Sequence, residues 1–155
     1  MVKTFTLHFE NGLPKGTAQQ KGEAIRYRRN TDGKVVPYIQ HYKKDKVSAM
    51  RDEFIYRLNR YAPRVPSDKP VRLFVWVCFD IKTRTLWGKY KTTRPDCDNY
   101  VKELKDAMTE AGFWLDDAQV VDLRVVKTYA EKASISIQVE DLGVISKIKG
   151  GTTND

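Results

Sequence analysis

The chain has 155 residues, a length that suits one domain, and its 41% share of hydrophobic residues is sufficient for a core. It contains no apolar run of about 18 residues, which excludes a transmembrane helix, and its first residues lack the apolar centre of a signal peptide, so we expect a cytosolic protein. The formal net charge of +8 and the pI of about 9.5 favour nucleic-acid binding over a merely basic soluble surface.

The N-terminal part of the sequence predicts a strand followed by a hairpin. Apolar residues alternate with polar ones over Lys3–Phe9, which predicts a strand, and a loop is expected from Asn11 to Glu23. A turn signal at Asn30–Gly33 separates two short runs, Ile25–Arg29 and Val35–Ile39, so we predict a hairpin there. Because these runs are short and basic, a mobile arm is the alternative.

The middle of the chain predicts one helix and one central strand. Apolar residues at spacings of three and four predict a helix over Lys46–Tyr61, which Pro63 would end. Its apolar stripe consists of Val47, Met50, Phe54, Leu58 and Tyr61. The next segment, Val71–Ile81, carries apolar residues on both faces, which is typical of a strand in the middle of a sheet. A basic loop, Lys82–Arg94, follows it.

The last third predicts a second helix and two strands. A second apolar stripe predicts a helix over Asn99–Ala111, with Gly112 as its stop. Two strands follow at Val120–Tyr129 and Ser134–Val139, and we expect them to be adjacent, with a hairpin as one way to join them. Together these elements predict a single α+β domain over residues 1–143, with two main helices and a mixed sheet of about four to six strands. Residues 144–155 are predicted to be a disordered tail.

Basic residues form clusters that we expect to contact a nucleic-acid backbone. One cluster lies in the predicted hairpin and another in the basic loop, and aromatic residues are interleaved with both. The cluster residues are Arg26, Arg28, Arg29, Lys89, Lys91 and Arg94. Trp87 or Tyr90 in the loop can stack on unpaired bases, although packing within the loop explains such residues equally well.

Three acidic residues suggest a metal site. Asp96 and Asp98 lie just before the second predicted helix, and Asp117 lies beyond its far end. If the chain is extended through Asp96 and Asp98, their side chains point the same way. Carboxylates, waters and phosphate oxygens are the usual ligands of Mg²⁺, although an aspartate before a helix is more often a simple cap. In a basic chain, carboxylates that hold a divalent cation indicate a nuclease.

Two further charged residues, Lys102 and Asp106, lie on the second predicted helix. Lys102 lies one turn after Asp98, so it forms either an ordinary ion pair or a cation that contacts the phosphate beside the metal. Asp106 is predicted to be the salt-bridge partner that orients Lys102. A helix of about 13 residues is about 20 Å long, so its ends cannot meet within one chain. Asp117 must therefore return through the turn or meet Asp96 and Asp98 from another subunit.

One motif runs through this helix and beyond it: Asp98-Asn99-x-x-Lys102-x-x-x-Asp106-Ala107, then Gly112–Val120, then Lys127, with Asp96 completing an Asp-x-Asp-Asn element. It closely resembles the RusA family of Holliday junction resolvases over residues 96–127, and a looser likeness covers most of the predicted domain. The resemblance implies a homodimeric crossover junction endodeoxyribonuclease that depends on Mg²⁺, with Mn²⁺ able to replace it. It implies paired, symmetric nicks in four-way DNA junctions during recombination and repair, with no membrane partner.

The resemblance also implies roles for individual residues. Asp96, Asp98 and Asp117 would be the metal-binding catalytic carboxylates. Lys102 would be the catalytic lysine, and Asp116 would support these residues from behind. Carboxylates from the two chains of a dimer would meet at each site, which resolves the problem of the long helix. As a separate hypothesis, we expect Lys127, like the basic clusters, to contact the DNA backbone. Two alternatives stay open: a non-catalytic DNA-binding relative of the same fold, and a metal nuclease that acts on other branched DNA or on RNA.

Overall fold

The computed structural model describes residues 2–15, 21–43 and 45–143. The strands and helices of these residues are, in chain order, β1 Val2–Phe9, β2 Lys21–Arg29, β3 Val35–Lys43, α1 Asp45–Leu58, β4 Val71–Asp80, α2 Cys97–Glu110, β5 Val120–Ala130 and β6 Ala133–Asp141. This is the α+β class that the sequence predicts. No helix in the described ranges is long and apolar enough to cross a membrane. The predicted tail, residues 144–155, lies outside the described residues.

Four strands form a mixed sheet in the order β1-β6-β4-β5, while β2 and β3 pair with each other in a separate hairpin. β4 pairs parallel with β5 and antiparallel with β6, so its position inside the sheet is confirmed. The prediction that β5 and β6 are neighbours is wrong, because β4 lies between them. The crossover through α2 makes β5 parallel to β4, and residues 88–91 pair with the outer edge of β5, so β6 pairs with the other edge of β4.

Strand and helix boundaries differ from the predictions where pairing or capping extends an element. β2 begins at Lys21, inside the stretch predicted as a loop, because its pairing with β3 continues to Lys43. Residues 16–20 of that predicted loop lie outside the described residues. α1 ends at Leu58, and a 3₁₀ turn, Asn59–Tyr61, continues the predicted helix to its last residue.

One face of the sheet packs against both helices. The predicted stripes supply Met50, Phe54 and Leu58 from α1 and Val101, Leu104 and Met108 from α2, all buried. The side chain of Val47 lies outside the described set. Burying one such side chain stabilises the fold by about 1.5–3 kcal/mol. On the opposite face of β4, Trp76 is 45% exposed, so the second apolar face of this strand is only partly covered.

Candidate active site

The first two acidic residues lie at the N-terminus of α2. Asp96 is the N-cap residue, with extended backbone angles (φ −68°, ψ 147°), and its carbonyl oxygen accepts a hydrogen bond from the Tyr100 amide at 3.0 Å. The helix thus begins at Cys97 rather than Asn99, and Asp98 lies in its first turn. The premise that Asp96 and Asp98 share one extended segment is therefore wrong, because the chain becomes helical between them.

The Asp96 carboxylate makes no capping hydrogen bond to the helix end. An N-cap aspartate normally accepts a hydrogen bond from a backbone amide in the first turn, which contributes about 1 kcal/mol. The Asp96 side chain makes no such bond, and both Asp96 and Asp98 are exposed. The positive end of the helix dipole still favours negative charge at this position. The simple-cap explanation therefore does not account for Asp96, and its carboxylate is accessible to a cation.

Lys102 follows Asp98 along one side of α2. Asp98, Lys102 and Lys105 recur at spacings of four and three residues, which places them on one helical face. Lys102 is exposed, and no ion pair joins it to another residue whose side chain the structure describes. The ordinary ion pair between Asp98 and Lys102 is thus not formed. The Lys102 ammonium can instead contact a phosphate.

Asp106 pairs with a different residue from the one predicted. Its carboxylate accepts a hydrogen bond from the Arg51 guanidinium at 2.8 Å, and the same guanidinium donates to Glu103 at 3.0 and 3.2 Å. Because its guanidinium is planar and forked, Arg51 can bind both carboxylates at once. Glu103 is 1% exposed, so this ion pair joins α1 to α2 at the edge of the core. Asp106 therefore fastens the helices rather than orienting Lys102.

The turn after α2 brings Asp117 part of the way back along the helix. Gly112 ends the helix with a positive φ of 87°, a conformation that favours glycine, and Trp114, 1% exposed, anchors the turn. Asp116 caps the 3₁₀ turn Asp117–Gln119: its carboxylate accepts from Ala118 N at 2.9 Å, and the Gln119 side chain accepts from Asp116 N at 2.9 Å. Asp116 thus supports the turn that presents its neighbour Asp117.

The three aspartates predicted to bind metal do not converge within one chain. The Asp117 carboxylate lies 4.0 Å from the Lys105 ammonium. Lys105 is seven residues after Asp98, a rise of about 10 Å along the helix. Among the residues that the structure describes, no three His, Cys, Asp or Glu side chains are grouped so that they could hold a metal ion. Return through the turn alone therefore leaves Asp117 too far along α2 to join Asp98.

Lys127 contacts the loop that leads into Asp96. From β5, its ammonium donates to the carbonyl oxygens of Thr93, at 2.8 Å, and Pro95, at 2.6 Å. The same loop is paired with β5 further upstream, where the Lys91 amide donates to the Lys127 carbonyl at 3.0 Å. The predicted DNA contact of Lys127 stays a prediction, but in this structure two of its three donors are used within the protein.

A cleft of about 930 Å³ opens beside Asp96. Three cationic side chains, Lys15, Lys91 and Arg94, line it together with Tyr129. The Lys91 ammonium lies 5.1 Å from the centroid of the Tyr129 ring. A hydrogen bond with Thr93, and then the charges of Lys91 and Lys127, hold the pKa of Tyr129 below its ordinary value despite some desolvation. The cleft therefore offers a positively charged surface next to an accessible carboxylate.

The hairpin carries its arginines on two different faces. Alternation along β2 places Arg26 and Arg28 on the face of Tyr38, whose ring centroid lies 5.4 Å from the Arg28 guanidinium. Arg29 lies on the other face with Ile25, which is 68% exposed. All three arginines are exposed. One face of the hairpin is therefore basic and aromatic, and the other is largely apolar.

The two loop aromatics differ in exposure. The Trp87 indole donates to the Ile81 carbonyl oxygen at 2.8 Å, so this ring is packed within the loop. Tyr90 is 75% exposed, and it lies between Lys89 and Lys91 in a segment that pairs with the outer edge of β5. Of these two rings, Tyr90 is the one accessible to a base.

Two features of the site were not predicted from the sequence. The Arg51–Glu103 ion pair had a signal, because Glu103 interrupts the buried side of α2, and a carboxylate in such a position requires a partner. The cleft had no signal in the sequence, because Lys15 and Tyr129 come from distant segments and only the sheet topology brings them together.

Two exposed carboxylates, a lysine with no ion-pair partner among the described residues and a cationic cleft on an α+β fold are features of a nuclease that acts on a polyanion. The sequence model of the family described as Endodeoxyribonuclease RusA matches residues 14–140. The chain belongs to this family, and the resemblance seen in its motif is confirmed. Its enzyme class is that of a nuclease acting on phosphodiester bonds.

Two relatives show how far the similarity extends. The crossover junction endodeoxyribonuclease rusA of Lactococcus phage r1t is 31% identical over 140 residues, which cover 89% of this chain and 98% of that protein. The crossover junction endodeoxyribonuclease RusA of Escherichia coli strain K12 is 40% identical over 76 residues, which cover 48% of this chain and 63% of that protein. The likeness to the phage protein thus extends over nearly the whole of both chains.

Proposed function

We propose that this chain is a homodimeric, Mg²⁺-dependent endonuclease that resolves four-way DNA junctions by paired nicks in symmetric strands. The names of its relatives describe crossover junction endodeoxyribonucleases, and recombination and repair are the processes that this activity would serve. One observation carries the proposal: Asp96 stands at the N-terminus of α2 with an exposed carboxylate that makes no capping bond, beside exposed Asp98 and Lys102.

Asp96 and Asp98 are the residues of one chain that would hold Mg²⁺, and Asp117 of the partner subunit would complete the set. Both carboxylates are exposed, which suits Mg²⁺ because this ion keeps several waters and binds substrate phosphate oxygens. When bound, the cation supplies a water of lowered pKa and neutralises charge at the reacting phosphate. Mn²⁺ accepts the same kind of oxygen ligands.

The basic residues around this pair bind and orient the DNA. Lys102 would donate to the scissile phosphate, because its ammonium is exposed and has no ion-pair partner among the described residues. Lys91 and Arg94 would hold the strand that enters the cleft, with Lys15 on its other wall. The hairpin would bind a DNA arm further away through Arg26, Arg28 and Tyr38, since this face is basic and a two-stranded ribbon fits the major groove.

The position of Asp117 supports a dimer. Within one chain this carboxylate lies beside Lys105 rather than beside Asp98. The apolar residues that flank its turn in the sequence, Leu115, Val121 and Leu123, are 66%, 63% and 43% exposed. A second copy that covers these side chains would bring its own carboxylates to the same region. We therefore place the dimer contact at the turn after α2 and the start of β5.

Cleavage of an immobile four-way junction, with Mg²⁺ and with EDTA, tests the proposal. Mapping at nucleotide resolution should show nicks at symmetric positions in two strands with Mg²⁺ and none with EDTA. Asp98→Asn should abolish cleavage while junction binding persists, since it removes a metal ligand but no backbone contact. Asp52→Asn is the matched control, because Asp52 is an exposed aspartate on α1. If the Asp98→Asn variant still cleaved the junction, the assignment of Asp98 as a metal ligand would be wrong.

The same assay separates the two alternatives. A DNA-binding relative without activity would shift the junction on a gel but leave all four strands intact in Mg²⁺. A nuclease for other substrates would cut linear duplexes, flaps or RNA faster than the four-way junction. Preference for RNA would overturn the proposal, because the DNA junction would then not be the substrate.

A further inference from the structure

We propose that Lys127 is a positioning residue for the candidate active site, because its ammonium fixes the loop segment Thr93–Pro95 and so sets the position of the Asp96 carboxylate. This inference rests on the proposed function, in which Asp96 binds Mg²⁺. It assigns to Lys127 a role inside the protein instead of the DNA contact expected from the sequence.

The geometry links Lys127 directly to Asp96. The ammonium donates to the Thr93 carbonyl oxygen at 2.8 Å and to the Pro95 carbonyl oxygen at 2.6 Å. The Pro95 carbonyl belongs to the peptide unit that joins Pro95 to Asp96. Because a peptide unit is planar and rigid, holding this oxygen restricts the position of the Asp96 backbone.

The backbone of Lys127 is held within the sheet. In the parallel ladder between β4 and β5, it lies opposite Val77, which is 1% exposed. The lysine side chain is half-buried, and its ammonium reaches the loop. A hydrogen bond from such a position can transmit the rigidity of the sheet to the loop.

The loop segment has few other supports. Its pairing with β5 ends where the Lys91 amide donates to the Lys127 carbonyl, and backbone hydrogen bonds resume at the Asp96 carbonyl, which accepts from Tyr100. Between these two points, within the described part of the chain, residues 92–95 make no backbone–backbone hydrogen bond. A Thr93 side chain that bonds Lys91 and Tyr129 is a second attachment. Lys127 is thus the residue that holds the backbone next to Asp96.

Lys127→Met tests this role, because methionine keeps an unbranched apolar side chain but has no donor. We expect the rate of junction cleavage at saturating DNA to fall about 10- to 100-fold, the usual effect of losing a group that orients a metal ligand. The Mg²⁺ concentration for half-maximal cleavage should rise. Junction affinity in EDTA and its dependence on salt should be unchanged, whereas loss of a phosphate contact would reduce the salt slope by about 1.

Two further variants sharpen the test. Lys127→Arg should restore much of the cleavage rate, since a guanidinium can donate to the same carbonyl oxygens. Lys89→Met, which removes an exposed cation from the neighbouring segment, should instead weaken junction binding and lower the salt slope. A Lys127→Met enzyme with a lowered salt slope and normal Mg²⁺ dependence would overturn the proposal.

Amide hydrogen exchange provides a readout that does not need activity. In Lys127→Met, the amide of Tyr100, which donates to the Asp96 carbonyl oxygen, should exchange faster, while those of β4 and β6 keep their protection. Unchanged exchange at Tyr100 would contradict the positioning role. Loss of protection throughout the sheet would also contradict it, because Lys127 would then support the whole fold. If the wild-type chain cuts no junctions but exchange changes as expected, the proposed function fails while the structural role of Lys127 stands.

Discussion

Mixing two inactive variants should restore cleavage if each active site is built from two chains. Asp98→Asn removes a carboxylate at the start of α2, and Asp117→Asn removes the one after its end. Asp117 lies beside the ammonium of Lys105, a residue about 10 Å further along the helix axis than Asp98, and no metal-binding group of three forms within the described part of one chain. We therefore expect each homodimer alone to be inactive and the mixed dimer to be active.

The size of the recovery follows from two-fold symmetry. In a mixed dimer, one site combines both substitutions, and the other combines an intact Asp98 from one chain with an intact Asp117 from the other. Random exchange between equal amounts of the two variants makes about half of the dimers mixed, each with one working site of two. The mixture should therefore retain about one quarter of the wild-type sites. Because each mixed dimer has a single working site, its main product should be a nicked junction rather than separated duplexes.

The assay needs proof that chains have exchanged. Two different affinity tags, one on each variant, allow the mixed dimers to be purified through both tags before cleavage is measured. Chains carrying both substitutions, mixed with wild-type chains, provide the control, since each site of such a dimer lacks a carboxylate. Doubly purified mixed dimers that stay inactive would refute the shared site, because Asp96, Asp98 and Asp117 would then have to act from one chain.

Three more predictions follow from individual contacts. Asp116→Asn should keep most of the cleavage and Asp117→Asn should lose it in the junction assay, because asparagine caps a turn as well as aspartate but is a poorer metal ligand. In urea unfolding, Arg51→Met should lower the free energy of unfolding by about 3 kcal/mol, since it removes a partner of a carboxylate that is 1% exposed. Thr93→Val should raise the pKa of Tyr129 towards its ordinary value, because the hydrogen bond from Thr93 stabilises the ionised form of the ring and valine cannot make it. The absorbance of the phenolate during a pH titration measures this pKa.

The elements of this fold could be predicted because their signals are local. Phe54 and Leu104 recur with their neighbours at helical spacing, and Val71–Asp80 carries apolar residues on both faces, so both helices and the central strand are visible in the sequence. Strand order is a long-range property. Nothing near Val120–Ala130 shows that this strand pairs parallel with β4 rather than with β6, since the crossover through α2 decides it.

The residues of the candidate site also divide into those with local signals and those whose contacts are long-range. Asp96, Asp98 and Lys102 could be found because they lie within two turns of one helix start, where spacing determines their neighbours. The partners of Asp106 and Lys127 could not, because Arg51 and Pro95 are brought to them by helix packing and by strand pairing. The partner predicted for Asp106 was wrong, and the contact of Lys127 with the loop was not predicted.

The length of α2 offers a physical reason for the proposed cutting in pairs. A helix of 14 residues separates the carboxylates at its start from Asp117, so a single chain holds only part of each proposed site. In a two-fold dimer, a contact from Asp117 of one chain to the other chain's α2 implies the reverse contact, so both sites form together or not at all. A four-way junction also has two-fold symmetry in its strands. An enzyme that cannot form one site without the other would nick DNA only as a dimer bound across the junction, which protects DNA from cuts by single chains.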